Sequence, residues 1–587
     1  MTAALDTLHR IFGFNDFRGV QGRVVDRVLA GQSTLAVMPT GAGKSLTYQL
    51  PAVMLEGTCV VVSPLIALMH DQLRAAEAVG IRAATLTSVD QNRAETRGRF
   101  LDGELDLLYI APERGSTGDF RELLERGRVA LFAIDEAHCV SEWGHDFRPD
   151  YRLLRPLLDR FPGVPRLALT ATADAHTRAD ILDQLGIPQD GLIVAGFDRP
   201  NIRYAISPRD NTTRQIADLI AETPGPGIVY AQTRAGTEKL AEALAKTGRP
   251  TRAYHAGLDP EVRARNQADF VASEDMVICA TVAFGMGIDK PDVRFVAHAG
   301  LPKSIEAYYQ ETGRAGRDGD PSVAHLFWGA EDFAKARQRV GEVEPQRQTG
   351  ERQRLTALAG LVETTGCRRA VLLRHFGEQP GESCGNCDNC LNPPVGTQAT
   401  EIARKFLSAV FRTGQLFGVG YVEDILLGKS SERSLMNGHE NLSVFGIVEG
   451  EEAALIRPVA RALQARDALR ANPHGGLEFG PAARAILKGE ADVTLVLPPK
   501  RERRRKGGAA EANPVGDPLF EALRERRRAL AKEGGVPPYV IFHDSVLREM
   551  ASVRPGTLDA LSRISGVGAR KLDAYGEAFL STIREFE

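Results

Sequence analysis

Short apolar runs recur along the first third of the chain: STLAVM, TCVVVSP, LDLLYIAP, VALFAID and RLALTAT, between about residues 33 and 190, with helical periodicity between them. A run of about four to eight residues that is apolar throughout is a strand buried on both faces, and strands alternating with helices pair in parallel. The pattern breaks at a connection near 196–212 and restarts with GIVYAQ, TRAYHAG, MVICATV, VRFVAHAG and VAHLFW. Two parallel-sheet α/β units in series are therefore expected. A single core rarely grows past about 250–300 residues, and the chain has 587, so further modules must follow. Residues 331–378 read as helical, and 398–492 as a small α+β module with a Gly-rich turn region. LPPKRERRRKGGAAEANPVGDP, 496–517, has no apolar periodicity and the composition of a linker, and 518–587 return to helical periodicity.

Bulk charge does not reveal the partner. Lys and Arg total 73 against 76 Asp and Glu, a net charge of −3, so any nucleic-acid contact must come from local patches. No run approaches the roughly 20 apolar residues of a membrane span, and MTAALDTLHRIFGF lacks a signal core. A cytosolic protein with no membrane contact is expected. Cys59, Cys139 and Cys279 lie in or beside apolar runs and read as buried, inert thiols.

MPTGAGKS, residues 38–45, lies between a strand and a helix, the setting a phosphate loop requires. Its backbone N–H groups and the following helix N-terminus suit phosphates, Lys44 suits the β and γ oxygens, and Ser45 suits magnesium. Met38 stands where the strict pattern has its first glycine. The run VALFAID delivers Asp135 and Glu136 at a strand end, one to hold magnesium and the other to orient and deprotonate the attacking water. An acidic pair in such a place is commonly just solvated, but a phosphate loop on the same sheet favours chemistry. In YYQETGRAGRDG, Arg314 and Arg317 suit fingers on a γ-phosphate in an interdomain cleft.

Cys367 in TTGCRRAVLLRHFGE and Cys384, Cys387 and Cys390 in SCGNCDNC offer four thiolates, which suit tetrahedral zinc. His375 would fall inside a helix and is not expected to compete. An iron–sulfur cluster is the alternative.

These motifs, in order, resemble those of superfamily 2 helicases, and more narrowly RecQ-type DNA helicases of bacterial-like architecture, over nearly the whole chain. FGFNDFRGVQ resembles the adenine-recognition segment, with Phe14, Arg18 and Gln21 in matching places. PTGAGKS, SPLIALMHDQ, IDEAH, ALTATAD, VAFGMGIDKPDVR and QETGRAGRDG follow. The resemblance implies a multidomain α/β protein: two RecA-like lobes (1–200 and 201–335), a zinc-binding helical segment (336–395), a winged helix (396–495), a linker (496–517) and a small all-α HRDC domain (518–587). It also implies ATP, magnesium and zinc as cofactors. Thr40, Gly41, Gly43, Lys44, Ser45, Gly287 and Asp289 would line the nucleotide, and Gln310 would join the catalytic group. Family likeness alone implies 3′-to-5′ movement, a role in recombination and repair, work at the bacterial nucleoid, and single-strand-binding and recombination proteins as partners.

WGHDFRPDY matches the family's aromatic-rich loop and follows the acidic pair closely. A base resting on Trp143 or Phe147, with Arg148 on the backbone, would report single-stranded DNA. His138 is placed to relay that signal toward Gln310. The plain alternative is a core tryptophan. In the tail, the Gly-Val-Gly turn at 566–568 with Arg570 and Lys571 offers donors to phosphates, and Tyr539 could stack a base or be half-buried core. The arginine runs at 501–505 and 524–528 read as solvated linker and helix face. Two rivals remain at this level: an RNA helicase, and an ATP-gated DNA-binding or annealing protein that does not unwind.

Overall fold

The computed structural model describes residues 3–141, 147–284, 290–394, 396–471, 476–496 and 517–586. Seven strands build the first sheet: β1 (Thr34–Val37), β2 (Thr58–Val62), β3 (Ala83–Leu86), β4 (Leu107–Ile110), β5 (Val129–Ile134), β6 (Arg166–Thr170) and β7 (Leu192–Val194). Their order is β3-β4-β2-β5-β6-β1-β7, and every pairing is parallel. β1, β2, β4 and β6 are buried along their whole length, as strands covered by helices on both faces must be. β5 separates from β1 by a single strand, β6, so the ends of the phosphate-loop strand and the carboxylate strand lie on the same edge of the sheet.

The second sheet contains β8 (Ile202–Pro208), β9 (Gly227–Tyr230), β10 (Thr251–Tyr254), β11 (Val277–Ala280), β12 (Phe295–His298) and β13 (Ser322–Trp328), in the parallel order β10-β11-β9-β12-β13-β8. Here the connection expected near 196–212 is corrected. It contains β8, which pairs with β13 over all seven of its residues. As an edge strand it is buried at alternate positions, with Ile202, Tyr204 and Ile206 inward and Arg203 out, so it lacks the continuous apolar run that marks its neighbours. Cys59, Cys139 and Cys279 are buried, and burial pushes the Cys279 thiol up to about 12.

Helices Ala330–Glu342, Pro345–Glu363 and Arg368–His375 lead to the cysteine cluster. Helices Thr400–Arg412, Val419–Leu426 and Ile456–Ala465 enclose a separate apolar core closed by two short antiparallel pairs, 396–398 with 494–496 and 469–471 with 477–479. The tail is helical from Pro518 to Arg584 with its own core around Leu523, Phe542, Leu547 and Phe579. Among the described residues, no helix is long and apolar enough to cross a membrane.

The tail is docked, and this corrects the reading of 524–528 as a solvated face. Glu274 of the second lobe accepts from Arg524 Nη2 at 2.8 Å, Arg527 Nη2 at 2.7 Å and Arg528 Nε at 2.8 Å. Three guanidiniums outweigh the burial of this carboxyl and hold its pKa below the ordinary value. Arg548 grips Asp320 through two bonds of 2.7 Å. On the first lobe, Gly566 N–H donates to the Gly13 carbonyl at 3.0 Å and Arg570 Nη1 to the Glu77 carbonyl at 2.8 Å. The run 501–505 lies outside the described residues. Because Arg527 also holds Asp544 at 2.7 Å, losing Glu274 weakens the docking more than the tail's own fold. Glu274→Ala should raise the radius of gyration of the full chain in small-angle scattering. An unchanged scattering curve would refute the arginine cluster as the anchor.

Candidate active site

The phosphate loop begins where β1 ends. Met38 N–H donates to the Thr170 carbonyl at 2.9 Å, so the loop departs from the sheet against the end of β6. Gly41 (φ +86°) and Gly43 (φ +73°) adopt the left-handed conformation that side chains disfavour. A Cβ on Gly43 would lie 2.4 Å from Gln21 Nε2. That amide donates to the carbonyls of Ala42 (2.9 Å) and Gly43 (3.2 Å), while Gln21 Oε1 accepts from Arg18 N–H at 2.9 Å. The Arg18 guanidinium lies 5.6 Å from the centre of the Phe14 ring. Phe14, Arg18 and Gln21 thus come together beside the loop. Lys44 Nζ donates to the Met38 carbonyl at 3.3 Å, and Ser45 precedes the helix Leu46–Met54.

β5 delivers the carboxylates. Asp135 is 6% exposed; its Oδ2 accepts from Gln72 Nε2 at 3.0 Å and its Oδ1 from Glu136 N–H at 2.9 Å. Burial, then the charge of Glu136, raises its pKa to about 6, with Lys44 pulling the other way. Crowded carboxylates beside a phosphate loop are a site where a divalent cation relieves the repulsion, so the donor set fits magnesium. Glu136 has φ 48°, a conformation uncommon outside glycine. It turns the chain into the short helix Ala137–Val140, where His138 is fully buried with Nδ1 3.0 Å from Thr170 Oγ1 and 3.3 Å from Glu136 Oε2.

The second lobe contributes the helix Ile305–Thr312 and the turn after it. Ser304 caps the helix by accepting from Ala307 N–H at 3.2 Å. Gln310 is half-buried on this helix, and Arg314, 6% exposed, lies beside Tyr230. Arg317 reaches the first lobe: a Cβ on Gly41 would lie 3.3 Å from its Cγ. The phosphate loop, the acidic pair and an arginine of the other lobe therefore border one cleft. Gly287, Asp289 and Trp143 lie outside the described residues.

Phe147 is half-buried, with the Arg152 guanidinium 5.3 Å from its ring centre. Arg148 Nη1 donates to the Pro64 carbonyl at 2.8 Å, tying the end of the aromatic-rich segment to SPLIALMHDQ. In the docked tail, Tyr539 lines a crevice with Lys290, Pro291 and Asp318 of the second lobe. The Lys571 ammonium lies 5.8 Å from the centre of the Phe542 ring, and burial lowers its pKa to about 8.

The four clustered cysteines offer sulfurs that all lie within 4.8 Å of one another. Cys384 and Cys390 sulfurs are 3.9 Å apart and those of Cys387 and Cys367 4.0 Å, near the roughly 3.8 Å edge of a tetrahedron with about 2.3 Å metal–sulfur bonds. N–H groups of Ala370 (3.4 Å), Asn386 (3.4 Å) and Cys387 (3.3 Å) already point at the sulfurs. The set fits zinc. His375 is excluded from it by an ion pair with Glu306 at 2.5 Å, which holds that carboxyl at about 2.

Gln72 in SPLIALMHDQ and Thr170 in ALTATAD, the groups that touch Asp135 and His138, carry no local signal of that role. Nor does Arg199, in the interlobe connection.

Two parallel-sheet lobes with a phosphate loop on one and an arginine of the other against it define a helicase-type nucleotide hydrolase. Family models agree with this in order along the chain: a DEAD/DEAH box helicase at residues 18–181, a helicase conserved C-terminal domain at 211–319, a RecQ zinc-binding domain at 330–391, an RQC domain at 393–504 and an HRDC domain at 517–583. The chain is 40% identical to the ATP-dependent DNA helicase RecQ of Haemophilus influenzae, over 99% of this chain and 96% of that protein. It is 37% identical to the protein of the same name from Bacillus subtilis, over 99% and 98%. The chain belongs to the RecQ family of helicases.

Zinc held by these thiolates contributes folding energy. Cys387→Ser should lower the melting temperature and the metal content together. The intact protein should carry one zinc per chain by elemental analysis, with no iron–sulfur absorbance; well-folded protein without zinc would contradict the assignment.

Proposed function

We propose that this chain is an ATP-dependent DNA helicase that moves 3′-to-5′ along single-stranded DNA and unwinds duplex in recombination and repair. The observation that carries the proposal is Arg317 of the second lobe packed on Gly41 of the first, which makes the nucleotide cleft an interlobe site. Phe14 stacks on the base with Arg18 holding its ring, and Gln21 exchanges its bonds to the Ala42 and Gly43 carbonyls for the base when nucleotide binds. The N–H groups of 40–45 and Lys44 hold the phosphates. Ser45 and Asp135 would hold magnesium, which would supply positive charge to the phosphoryl oxygens. Glu136 orients the attacking water and takes its proton. Gln310, Arg314 and Arg317 close from the second lobe, and closure alternates with opening to convert hydrolysis into steps along the strand.

Trp143, Phe147 and Arg148 are assigned to the DNA strand. The segment is continuous with Glu136 and His138, and Arg148 N–H donates to the Cys139 carbonyl at 2.9 Å, so DNA bound here moves the carboxylate turn. DNA rather than RNA is favoured by the two relatives above, both ATP-dependent DNA helicases. Work at the nucleoid with single-strand-binding and recombination proteins belongs to the same reading. While the tail is docked Tyr539 faces a crevice of the second lobe, and it meets DNA only when the tail leaves the lobes.

Lys44→Ala should abolish ATP turnover, whereas Glu136→Gln should bind nucleotide and fail to hydrolyse it. Arg317→Ala should behave like the latter, with a loss of about 10³–10⁵ in rate; hydrolysis at the parental rate would remove the interlobe site. Trp143→Ala should melt normally and lose stimulation by single-stranded DNA, since one base stack is worth about 1–3 kcal/mol. Early melting with stimulation retained, the outcome for a core tryptophan worth about 3–5 kcal/mol, would reassign it as scaffold.

A further inference from the structure

Arg199 lies between β7 and β8, in the segment that joins the lobes. Its Nη1 donates to the carbonyls of Thr40 at 2.7 Å and Gly313 at 3.0 Å, and its Nη2 to those of Ala315 at 2.8 Å and Gly316 at 2.9 Å. Thr40 belongs to the phosphate loop. The other three acceptors belong to the turn that carries Arg314 and Arg317. A planar guanidinium directs its donors along fixed lines and can hold two backbones at a set separation, which a lysine ammonium cannot.

The turn and the interlobe segment are themselves fixed. Asn201 Nδ2 donates to the carbonyls of Gly316 at 2.8 Å and Asp320 at 2.9 Å. Tyr309 Oη donates to the Phe197 carbonyl at 2.6 Å. From the zinc module, Arg369 Nη2 donates to the carbonyl of Ile202 at 2.7 Å and Asn386 Nδ2 to that of Pro200 at 3.0 Å. The turn also approaches the loop closely: a Cβ on Gly313 would lie 3.3 Å from Thr40 Cβ. Burial lowers the pKa of Arg199, and nearby Arg317 acts in the same direction, so the cation is held among carbonyl dipoles.

We infer that Arg199 is a positioning residue for ATP hydrolysis, setting the turn 313–317 at its working distance from the phosphate loop so that Arg317 meets the γ-phosphate. The inference rests on the ATP-site reading above. Arg199 spends its donors on backbone and touches no reacting atom; it acts through Arg317.

The test is a double-mutant cycle in the full chain, read by single-turnover ATP hydrolysis with saturating single-stranded DNA. Arg199→Ala should lower the rate by about ten- to a hundredfold, the scale of a displacement near 1 Å, with KM for ATP within about threefold of parental. In the Arg317→Ala background the same change should cost less than about twofold, because the residue it positions is gone. Arg199→Lys, which preserves charge and bulk, should melt like the parent and still show most of the loss, so a poorly folded alanine variant leaves the test intact. Losses that multiply across the cycle, a parental rate in Arg199→Ala, an effect confined to KM, or full rescue by lysine would each overturn the inference. Turnover surviving Lys44→Ala would instead overturn the ATP site itself.

Discussion

Thr170, the last residue of β6, is the point from which the catalytic edge of the first lobe is built. Parallel pairing places β6 between β1 and β5. The Thr170 carbonyl accepts from Met38 N–H at 2.9 Å as the phosphate loop begins, and its hydroxyl lies 3.0 Å from His138 Nδ1 behind the acidic pair. The loop and the carboxylates therefore share a backbone reference. A strand ladder resists small shifts because every displaced residue loses a hydrogen bond whose loss in a buried setting costs about 1–3 kcal/mol. With the first half-site rigid, catalysis depends on where the second lobe sits.

That placement is controlled from three directions. The zinc module grips the interlobe segment through Arg369 and Asn386. Arg199 links the segment to both sides of the cleft. The helical tail touches Gly13 and Glu77 on one lobe and Glu274 and Asp320 on the other. A tail bound to both lobes favours the lobe separation at which both contacts are made, so docking of the tail and lobe separation are linked equilibria. The cations that recommend the tail as a DNA contact are partly committed to these protein contacts.

Most of the two sheets was legible because a buried parallel strand writes itself as an unbroken apolar run. β8 was not, since an edge strand is covered on one face only and IRYAISP reads as connection. The phosphate loop, acidic pair, arginines and the three cysteines of SCGNCDNC were legible because their spacing is dictated by chemistry local to one turn. Gln72, Thr170 and Arg199 were not: each acts through a partner 32 to 159 positions away, and pairings at that distance exist only after folding. The arginines at 524–528 misled for the same reason. On a helix with charged neighbours they look solvated, and only the fold brings Glu274 to them.

ATP chemistry in this cleft should drive movement along DNA. Strand displacement from duplexes bearing a single-stranded tail of either polarity, with DNA or RNA as the tracking strand, tests it most directly. ATP-dependent separation of the 3′-tailed duplex on a DNA tracking strand is expected, with little from the 5′-tailed or RNA-tracked substrates. DNA-stimulated ATP turnover without strand separation, or equal use of an RNA strand, would contradict it.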